Sequence, residues 1–395
     1  MATTLAPLRT FAVDFDDDAK DLLLQFTRND PFAVGLCTAY LSEHPDSILD
    51  LAEEFERGFE AALSSLVERV LTMLLSDSPP VLYATCVLLS QCDEPFSEKI
   101  LDGIWKTMPW DSTYPPSISP VLTTLMRVNF IQQESSGGIV LNEHIKRSVL
   151  WKLSDADKQS ACVSISNYFA QSKLPDEEKI PKAHHYLKKA GLIKEALQLA
   201  IAYSTAFVKE GKHDAARRLI VSELSDTSRF EKELRVFLLH QLSVIDFNLQ
   251  RFDDAISSMR EVIKELSDSD NLAGKLAAQS QLANLYAMRG DFDKASSEFE
   301  SVLNEHEKHR NVSGIVATFA QLGMIAFEQK NMLTAVERFY IAQSLSAQLS
   351  EDEKKICRLN WEYLQNELGD ARLQELLSLV KPKADVYIQR VKARA

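Results

Sequence analysis

One stretch of sequence occurs three times in this chain, and its copies are evenly spaced. "HQLSVIDFNLQRFDDAISSM" begins at His240, "SQLANLYAMRGDFDKASSEF" at Ser280 and "AQLGMIAFEQKNMLTAVERF" at Ala320, so the copies share one constant step along the chain. A period of roughly 20 to 50 residues is typical of chains that stack similar units, because each unit buries its apolar face against its neighbours. The repeat therefore argues against a single globular core in the C-terminal half of the chain.

The copies share a pattern of large, small and aromatic residues at helical spacing. A leucine in the first helix precedes a small residue, where a partner helix must come close, and an alanine in the second helix precedes a large core residue by four positions. These positions are Leu242, Leu282 and Leu322; Ser243, Ala283 and Gly323; Ala255, Ala295 and Ala335; and Met259, Phe299 and Phe339. The pattern is typical of tetratricopeptide repeats, which are pairs of antiparallel helices. Their usual unit has about 34 residues, which is shorter than the step here, so we expect longer helices or longer loops.

Weaker copies extend the repeat in both directions. Upstream, Gly191 and Gly211 mark the turns of two shorter copies, and downstream residues 360–377 form a degraded one. We therefore predict tetratricopeptide-like helical repeats, an α-solenoid, over 176–395. The chain has only 12 glycines and 13 prolines, and its apolar residues fall mostly at helical spacing, so the fold class is predicted to be mainly α.

The first helices of such a stack line a concave wall, whose usual role is to bind peptides or protein segments. Glutamines recur near that wall once in each copy of the repeat. They are interpreted either as an amide ladder that hydrogen-bonds an extended ligand backbone or as polar residues that flank a buried leucine. The wall lacks the basic residues with which such repeats bind a C-terminal carboxylate, so no charged clamp is predicted. The candidate protein-binding residues are Phe237, His240, Gln241, Val244, Phe247, Gln281, Asn284, Gln321, Met324 and Phe327.

Residues 79–175 show a different pattern, which predicts a winged helix and a connecting helix. Three apolar helical segments lead into "FIQQESSGGIVLNE", which breaks at 135–138 and then resumes its alternation, as a β-hairpin does. Many winged helices read DNA through their third helix. Here that helix offers one basic residue, Arg127, and residues 79–151 hold five Lys or Arg against seven Asp or Glu. Nucleic-acid binding is therefore not expected, in agreement with the net charge of −13.

The segment before the winged helix, 1–78, is predicted to be a helical subdomain. Its "RNDPFAVGLCTAYL" resembles the proline-containing helix of the signal-transducing ATPases with numerous domains, the STAND or NB-ARC family. "GIVLNEHIKRSVL" resembles the end of that family's winged helix, and the order of helical subdomain, winged helix and helical repeats also matches. The resemblance implies that Pro31 and Asn142 occupy positions that lie near the nucleotide in the family, with Asn142 in place of the usual histidine.

The phosphate-binding loop of these ATPases is absent from the sequence. No G-x-x-x-x-G-K-[ST] occurs, and the two Gly-Lys pairs are followed by His and Leu. The resemblance therefore implies the regulatory and sensing part of such an ATPase, without its nucleotide-hydrolysing core, in which Pro31 and Asn142 are vestigial. The acidic run at 14–18 is expected to cap the first helix, because a helix N-terminus favours negative charge.

No arrangement of residues in the sequence predicts catalysis, a cofactor or a metal site. "HEKHR" at 306–310 does not match H-E-x-x-H, because its second histidine stands at the third rather than the fourth position after the first. Five scattered cysteines, never spaced as C-x-x-C, are interpreted as reduced core thiols of a cytoplasmic protein. No apolar run approaches the ~18 residues of a membrane span, so no membrane association is expected.

Together these patterns predict a non-enzymatic protein with a ligand-sensing and regulatory role. The repeats would bind a protein or peptide, and the winged helix would relay occupancy to an ATPase domain in cis or in trans. One alternative is a stand-alone repeat scaffold or adaptor. A winged-helix transcription regulator is a further alternative, which the charge disfavours, and a residual ATPase would require bound nucleotide.

Overall fold

The computed structural model describes residues 13–77, 79–110, 112–225, 232–267, 271–347 and 349–394. Helices dominate, and the strands found among these residues form one small sheet, so the predicted mainly α class is confirmed. The chain divides into two compact units, Met1–Tyr203 and Ser204–Ala395. The finer division at 78 and 175 stays a prediction, and positions 1–12 of its helical subdomain lie outside the described residues.

The first unit begins with four helices whose ends follow from their sequence. They are α1 (Asp17–Phe26), α2 (Pro31–Leu41), α3 (Ile48–Arg57) and α4 (Phe59–Leu75), with a 3-10 turn at Pro45–Ser47. The Asp16 carboxylate accepts a hydrogen bond from the Ala19 N–H and caps α1, as the acidic run predicted. Asp30 caps α2 in the same way, and Pro31 fills its first turn, where no N–H is needed.

Three helices and three short strands follow in the order of a winged helix. They are α5 (Val81–Gln91), β1 (Phe96–Ser97), α6 (Glu98–Trp105), α7 (Ser119–Arg127), β2 (Ile131–Gln133) and β3 (Gly138–Leu141). Strands β2 and β3 form the predicted hairpin, with Ile131 opposite Leu141. Strand β1 pairs antiparallel with the other edge of β3 and was not predicted, because two residues are too few to show an alternating pattern.

The helices of the first unit share one hydrophobic core with the winged-helix elements. Helices α8 (Glu143–Lys152), α9 (Asp155–Gln171) and α10 (Asp176–Lys189) complete the set, and the buried side chains form a continuous cluster from Leu23 to Ala190. Gly35 of α2 lies directly against the carbonyl of Val128, where a β-carbon would stand 2.0 Å from the oxygen. The predicted helical subdomain and winged helix are therefore packed together without an intervening solvent layer.

The second unit consists of successive helix pairs. The boundary between the units falls within α11 (Ile193–Lys209). The helices that follow are α12 (His213–Leu224), α13 (Lys232–Asn248), α14 (Phe252–Ser267), α15 (Leu272–Arg289), α16 (Phe292–Lys308), α17 (Val312–Glu328), α18 (Met332–Ser346), α19 (Glu351–Leu368) and α20 (Asp370–Arg394). Helices α13 to α18 have 15 to 18 residues each, so long helices account for the long step of the repeat.

The small residues of the repeat lie where they were expected, at the closest approach of two helices. A β-carbon on Gly323 would stand 2.8 Å from the ring of Phe339, which belongs to the second helix of the same pair. In an earlier pair, the Ser243 hydroxyl donates a 3.0 Å hydrogen bond to the carbonyl of Ala255. The unit is thus a tetratricopeptide-like α-solenoid. Among the helices that the structure describes, none combines the length and the apolar character that a bilayer span requires.

Substitution of Gly35 tests the close packing of α2 on the turn that follows α7. Gly35→Ala places a methyl group in the space of the Val128 carbonyl, and we expect it to lower the free energy of unfolding by about 1–3 kcal/mol. Tryptophan fluorescence in urea measures this, since three of the four tryptophans belong to the first unit. Gly58→Ala is the matched control, because its β-carbon would meet no described atom within 4 Å. Equal midpoints for the two variants would contradict the packing argument.

Candidate functional site

The ten candidate binding residues lie on α13, α15 and α17, the first helices of three successive pairs. Phe237 and Val244 are 40% and 37% exposed, and Gln281, Asn284 and Gln321 are also exposed. His240, Gln241, Phe247 and Met324 are half-buried. Phe327 is 5% exposed and instead packs its ring edge-on against Tyr363 of α19, with the ring centroids 5.3 Å apart.

A cavity of about 190 Å³ opens between α13 and α15, and four of the candidate residues line it. We call this cavity the groove. Most of the groove's wall is apolar, and two amide side chains stand at its edge. Its lining residues are Ser243, Val244, Phe247, Met259, Gln281, Asn284, Leu285 and Met288.

Helical spacing explains why these side chains converge. Gln281, Asn284, Leu285 and Met288 follow one another at intervals of three, one and three positions, so they occupy one face of α15. Val244 and Phe247 present the same face of α13. The aromatic and glutamine signals were visible in the sequence, whereas Leu285 and Met288 were missed. Both residues lie at helical spacing from Gln281 on α15, and that spacing could have identified them.

The exposed surfaces of α15 and α17 carry almost no charge. Every exposed residue of α15 is uncharged, and α17 exposes a single charged residue, Glu328, at its end. The second helices α14 and α16 differ, since their exposed residues include Asp253, Asp254, Arg260, Glu261, Lys264, Asp293, Lys294, Glu300 and Lys308. In a chain with 26% charged residues, this contrast marks the α15 and α17 faces as distinct from ordinary solvated surface.

Helix α19 adds an apolar stripe that the register of the repeat did not reveal. Its N-cap is Ser350 and that of α17 is Asn311, so the last step is one position shorter than the earlier ones. Ile356, Leu359 and Tyr363 are more than 40% exposed and recur at helical spacing along α19. An alignment that keeps the earlier, longer step is therefore displaced by one residue along α19. It assigns these three side chains to the wrong face of the helix.

An ion pair with a buried carboxylate joins α12 to α13, next in sequence to the groove residue Phe247. The Asp246 carboxylate, next to Phe247, is 1% exposed and accepts a 2.6 Å hydrogen bond from Nε of Arg217 on α12. Burial raises the pKa of Asp246 above its ordinary value, and the Arg217 guanidinium opposes that shift. The second carboxylate oxygen has no hydrogen-bond partner among the described residues. Arg217 therefore lowers the free-energy cost of burying this carboxylate near the C-terminal end of α13.

In the first unit, the two positions marked by the family resemblance lie at helix N-termini. The carbonyl of Pro31 accepts a 2.8 Å hydrogen bond from the Asn129 side chain. The Asn142 side chain caps α8 by accepting from the His144 N–H at 3.0 Å. The ring of Phe32 stacks on His144, with centroids 5.5 Å apart, so the start of α2 lies beside the start of α8.

Burial favours the neutral forms of the described thiols and of His306. Cys37 and Cys86 are buried, and burial raises the pKa of both thiols to about 12, far above the range in which a thiolate forms at neutral pH. Within the described ranges, no group of three or more His, Cys, Asp or Glu side chains is placed to hold a metal ion. Burial lowers the pKa of His306, which favours its neutral form.

Comparison with known proteins gives weak similarities to helical-repeat structures. No protein-family model and no curated protein sequence matches the chain. Tetratricopeptide-like repeats of a kinesin light chain protein from Podosopora anserina share 18% identity over 50% of this chain and 97% of that one, with a TM-score of 0.39. BtubC from P. vanneervenii shares 11% identity over 61% and 92% of the two chains, with a TM-score of 0.37.

One similar structure is a signal transduction ATPase with numerous domains from Pyrococcus horikoshii, which has a tetratricopeptide repeat sensor. It shares 16% identity, with a TM-score of 0.37, and the similarity covers 91% of this chain and 55% of that protein. At TM-scores of 0.37 to 0.39, these similarities are too low to assign the chain to a family.

Substitution of Arg217 tests its ion pair with Asp246. Arg217→Met leaves the Asp246 carboxylate buried without its partner, and we expect the free energy of unfolding of the second unit to fall by about 3–5 kcal/mol. The loss should grow as the pH rises from 4 to 7. A carboxyl whose pKa is higher in the folded than in the unfolded state binds protons preferentially when folded, so stability falls as the pH rises through that pKa.

Urea unfolding followed by circular dichroism at several pH values measures this effect. Arg218→Met is the matched control, because Arg218 is the exposed neighbour on the same helix. A pH-independent loss, or an equal loss in both variants, would show that packing of the arginine stem matters more than its charge.

Proposed function

We propose that the chain is a non-enzymatic protein-interaction module whose second unit binds a segment of a protein or peptide in the groove. The observation that carries this proposal is the exposed neutral face of α15 and α17, with an apolar cavity and amide side chains at its edge. Exposed apolar side chains gathered around a concavity are typical of binding surfaces. Met288, for example, is 63% exposed at the rim.

The size and chemistry of the groove fit a polypeptide. A cavity of roughly 150 Å³ holds a benzene molecule, so about 190 Å³ accommodates one large apolar side chain. Gln281 and Asn284 each carry both hydrogen-bond donors and an acceptor, which suits the alternating N–H and C=O groups of a peptide backbone. A small polar metabolite would leave the apolar side of the cavity without a partner.

The second part of the proposal is a regulatory role for the first unit, as a relay to an ATPase domain in cis or in trans. What supports it is the order of parts in the STAND resemblance and the neighbouring positions of Pro31 and Asn142. Phe32, next to Pro31, and His144, close to Asn142, are stacked. Such a relay requires two conformations of the protein, and ligand binding must favour one of them. Because α1 to α10 share one core, the first unit would take part in it as a single body.

The alternative of a stand-alone scaffold needs the groove but no relay. A transcription regulator has less support, since the exposed surface of α7 offers Arg127 as its one basic residue. The cytoplasm is the proposed location, from the reduced cysteines.

Groove binding is tested with the double variant Phe247→Ala, Gln281→Ala. A photo-reactive amino acid at Met288 first identifies the partner in cells, and the same group at Ser297, exposed on α16, is the control. The affinity of the purified partner is then measured by calorimetry. We expect the double variant to bind at least about tenfold more weakly, as is usual when interface side chains are truncated, with an unchanged circular dichroism spectrum. Equal affinity would place binding elsewhere.

The relay in cis is tested by the size of the native protein. An antibody against the second unit should detect a band well above 44.5 kDa in the cells of origin, because the ATPase core would be part of the same polypeptide. Knockout cells provide the control for antibody specificity. A band at 44.5 kDa would contradict the cis relay and would favour a partner in trans or the scaffold.

A further inference from the structure

We propose that the C-terminal end of α20 and the turn between α16 and α17 together bind a phosphorylated side chain of a partner protein. Three arginines, Arg310, Arg390 and Arg394, line this second site, which we call the arginine site. It belongs to the second unit and shares no lining residue with the groove. The proposal therefore goes beyond the proposed function and does not depend on it.

The arginine site surrounds a small cavity between the end of α20 and the start of α17. Its volume is about 20 Å³, and a cavity needs roughly 10–15 Å³ to hold one water molecule. Apolar side chains form part of its wall, namely Val312 and Ile315 of α17 and Val391 of α20. The cavity therefore admits a single oxygen atom of a ligand, while the remainder of that ligand lies on the open surface.

Two segments that are far apart in the sequence bring the arginines together. Arg310 lies in the turn that joins α16 to α17, whereas Arg390 and Arg394 stand four positions apart on α20 and thus share one face of that helix. The ring of Tyr387 on α20 packs edge-on against Phe319 of α17, with the ring centroids 5.1 Å apart. This contact holds α20 against α17 one turn before Arg390.

The arginines carry more charge than the site neutralises. Among the described residues, the one carboxylate that lines the site belongs to Glu307. Its Oε1 accepts a hydrogen bond from the Tyr387 hydroxyl, and its Oε2 lies 3.9 Å from Nη2 of Arg390. Arg310 and Arg394 are exposed, and neither forms an ion pair with a described residue. Two positive charges at the site are thus left without a counter-charge.

This positive charge is local and is unlike the rest of the chain. The net charge of the chain is −13, but residues 381–394 hold five Lys or Arg against one Asp. Arg390 and Arg394 also repel each other, because like charges four positions apart destabilise a helix. An anion bound between them would relieve that repulsion. The apolar wall beside the arginines excludes water, which strengthens their attraction for such an anion.

The charge of the site and the chemistry of arginine favour a phosphate group over a carboxylate. A phosphorylated serine or threonine carries a charge of about −1.5 to −2 at neutral pH. This charge matches the two uncompensated positive charges of the site, whereas a carboxylate would neutralise one of them. The planar guanidinium group donates paired hydrogen bonds to phosphate oxygens. Three arginines around one cavity can therefore share the oxygens of a single phosphate group.

The size of the cavity indicates what carries the phosphate. Pockets for small molecules enclose most of their ligand, and a cavity that admits one oxygen atom does not enclose a metabolite. A nucleic acid presents its phosphates in an unbroken series and is bound by an extended basic surface, whereas this chain is acidic as a whole. A single phosphorylated side chain that projects from a polypeptide fits both the small cavity and the local charge.

Peptide arrays test the proposal on the full chain. One array carries eleven-residue peptides with a central phosphoserine and random flanking residues, and two matched arrays carry serine or glutamate at the centre. The strongest phosphopeptides and their serine and glutamate forms are then compared by fluorescence anisotropy. We expect the phosphopeptides to bind at least about tenfold more tightly than either other form, because one hydrogen bond to a charged group contributes about that factor.

The double variant Arg310→Gln, Arg394→Gln tests whether the arginine site binds these phosphopeptides. Both side chains are exposed, so their replacement leaves the core intact, and circular dichroism verifies this. We expect the variant to bind the phosphopeptides at least about tenfold more weakly than the wild-type chain. Lys264→Gln, Lys392→Gln is the matched control, because it removes the same charge from exposed positions that do not line the site. The control should bind normally.

Three further probes distinguish the proposed partner from other anions. They are inorganic phosphate, a single-stranded oligonucleotide of twenty bases and vesicles that contain phosphatidylserine. We expect all three to compete with the bound phosphopeptide more weakly than the unlabelled phosphopeptide does. If one of them competes equally well, the site recognises free phosphate, nucleic acid or a membrane surface, and the proposed partner is wrong.

The remaining outcomes decide the proposal and leave the groove to its own test. Equal affinity of the phosphoserine and glutamate forms would overturn the preference for phosphate. An equal loss in the arginine variant and its lysine control would show that net charge, rather than the arginine site, attracts the peptides. An array without binders would overturn the proposal as a whole. The Phe247→Ala, Gln281→Ala variant should bind the phosphopeptides normally, since these two residues do not line the arginine site.

Discussion

The second unit depends on the close approach of two helices at one small residue in each pair. At Gly323 the space that a side chain would fill belongs to the ring of Phe339, and at Ser243 the hydroxyl bonds directly to the carbonyl of Ala255. Any larger residue at these positions would separate the helices, because interiors are close-packed and transmit strain. The same contact fixes the rotation of each first helix. It thereby determines that Gln281 and its neighbours point into the groove rather than into the core.

Much of this architecture could be predicted because it is local. The helix pairs and the hairpin follow from periodicity over short windows of sequence, and the caps at Asp16 and Asp30 follow from single side chains. Features that depend on distant residues were missed. Gly35 and Val128 are far apart in the chain, and nothing near either of them shows that one approaches the other. The shortened step before α19 also escaped detection, because the sequence of the last pair is degraded.

The ion pair between Arg217 and Asp246 is a feature that does not recur with the repeat. The positions equivalent to Asp246 in the next two copies of the repeat are Tyr286 and Ala326. Both are buried, so an uncharged side chain suits this position elsewhere in the stack. A buried ion pair is rarely the most stabilising choice, since apolar replacements are often equal or better. What it provides is directionality, because the guanidinium bonds the carboxylate in one geometry. It distinguishes the α12–α13 contact from the others.

The groove is lined by two successive helix pairs, so neither pair forms it alone. In a linear array each pair contacts only its neighbours, and adjacent pairs can separate while their own helices remain folded. Loss of the contact between the pairs of α13 and α15 would therefore abolish binding before helical content declines. By linkage, a ligand held across that contact strengthens it. In the proposed role, the groove would therefore stabilise the contact between the two helix pairs, and its occupancy would report whether they are docked.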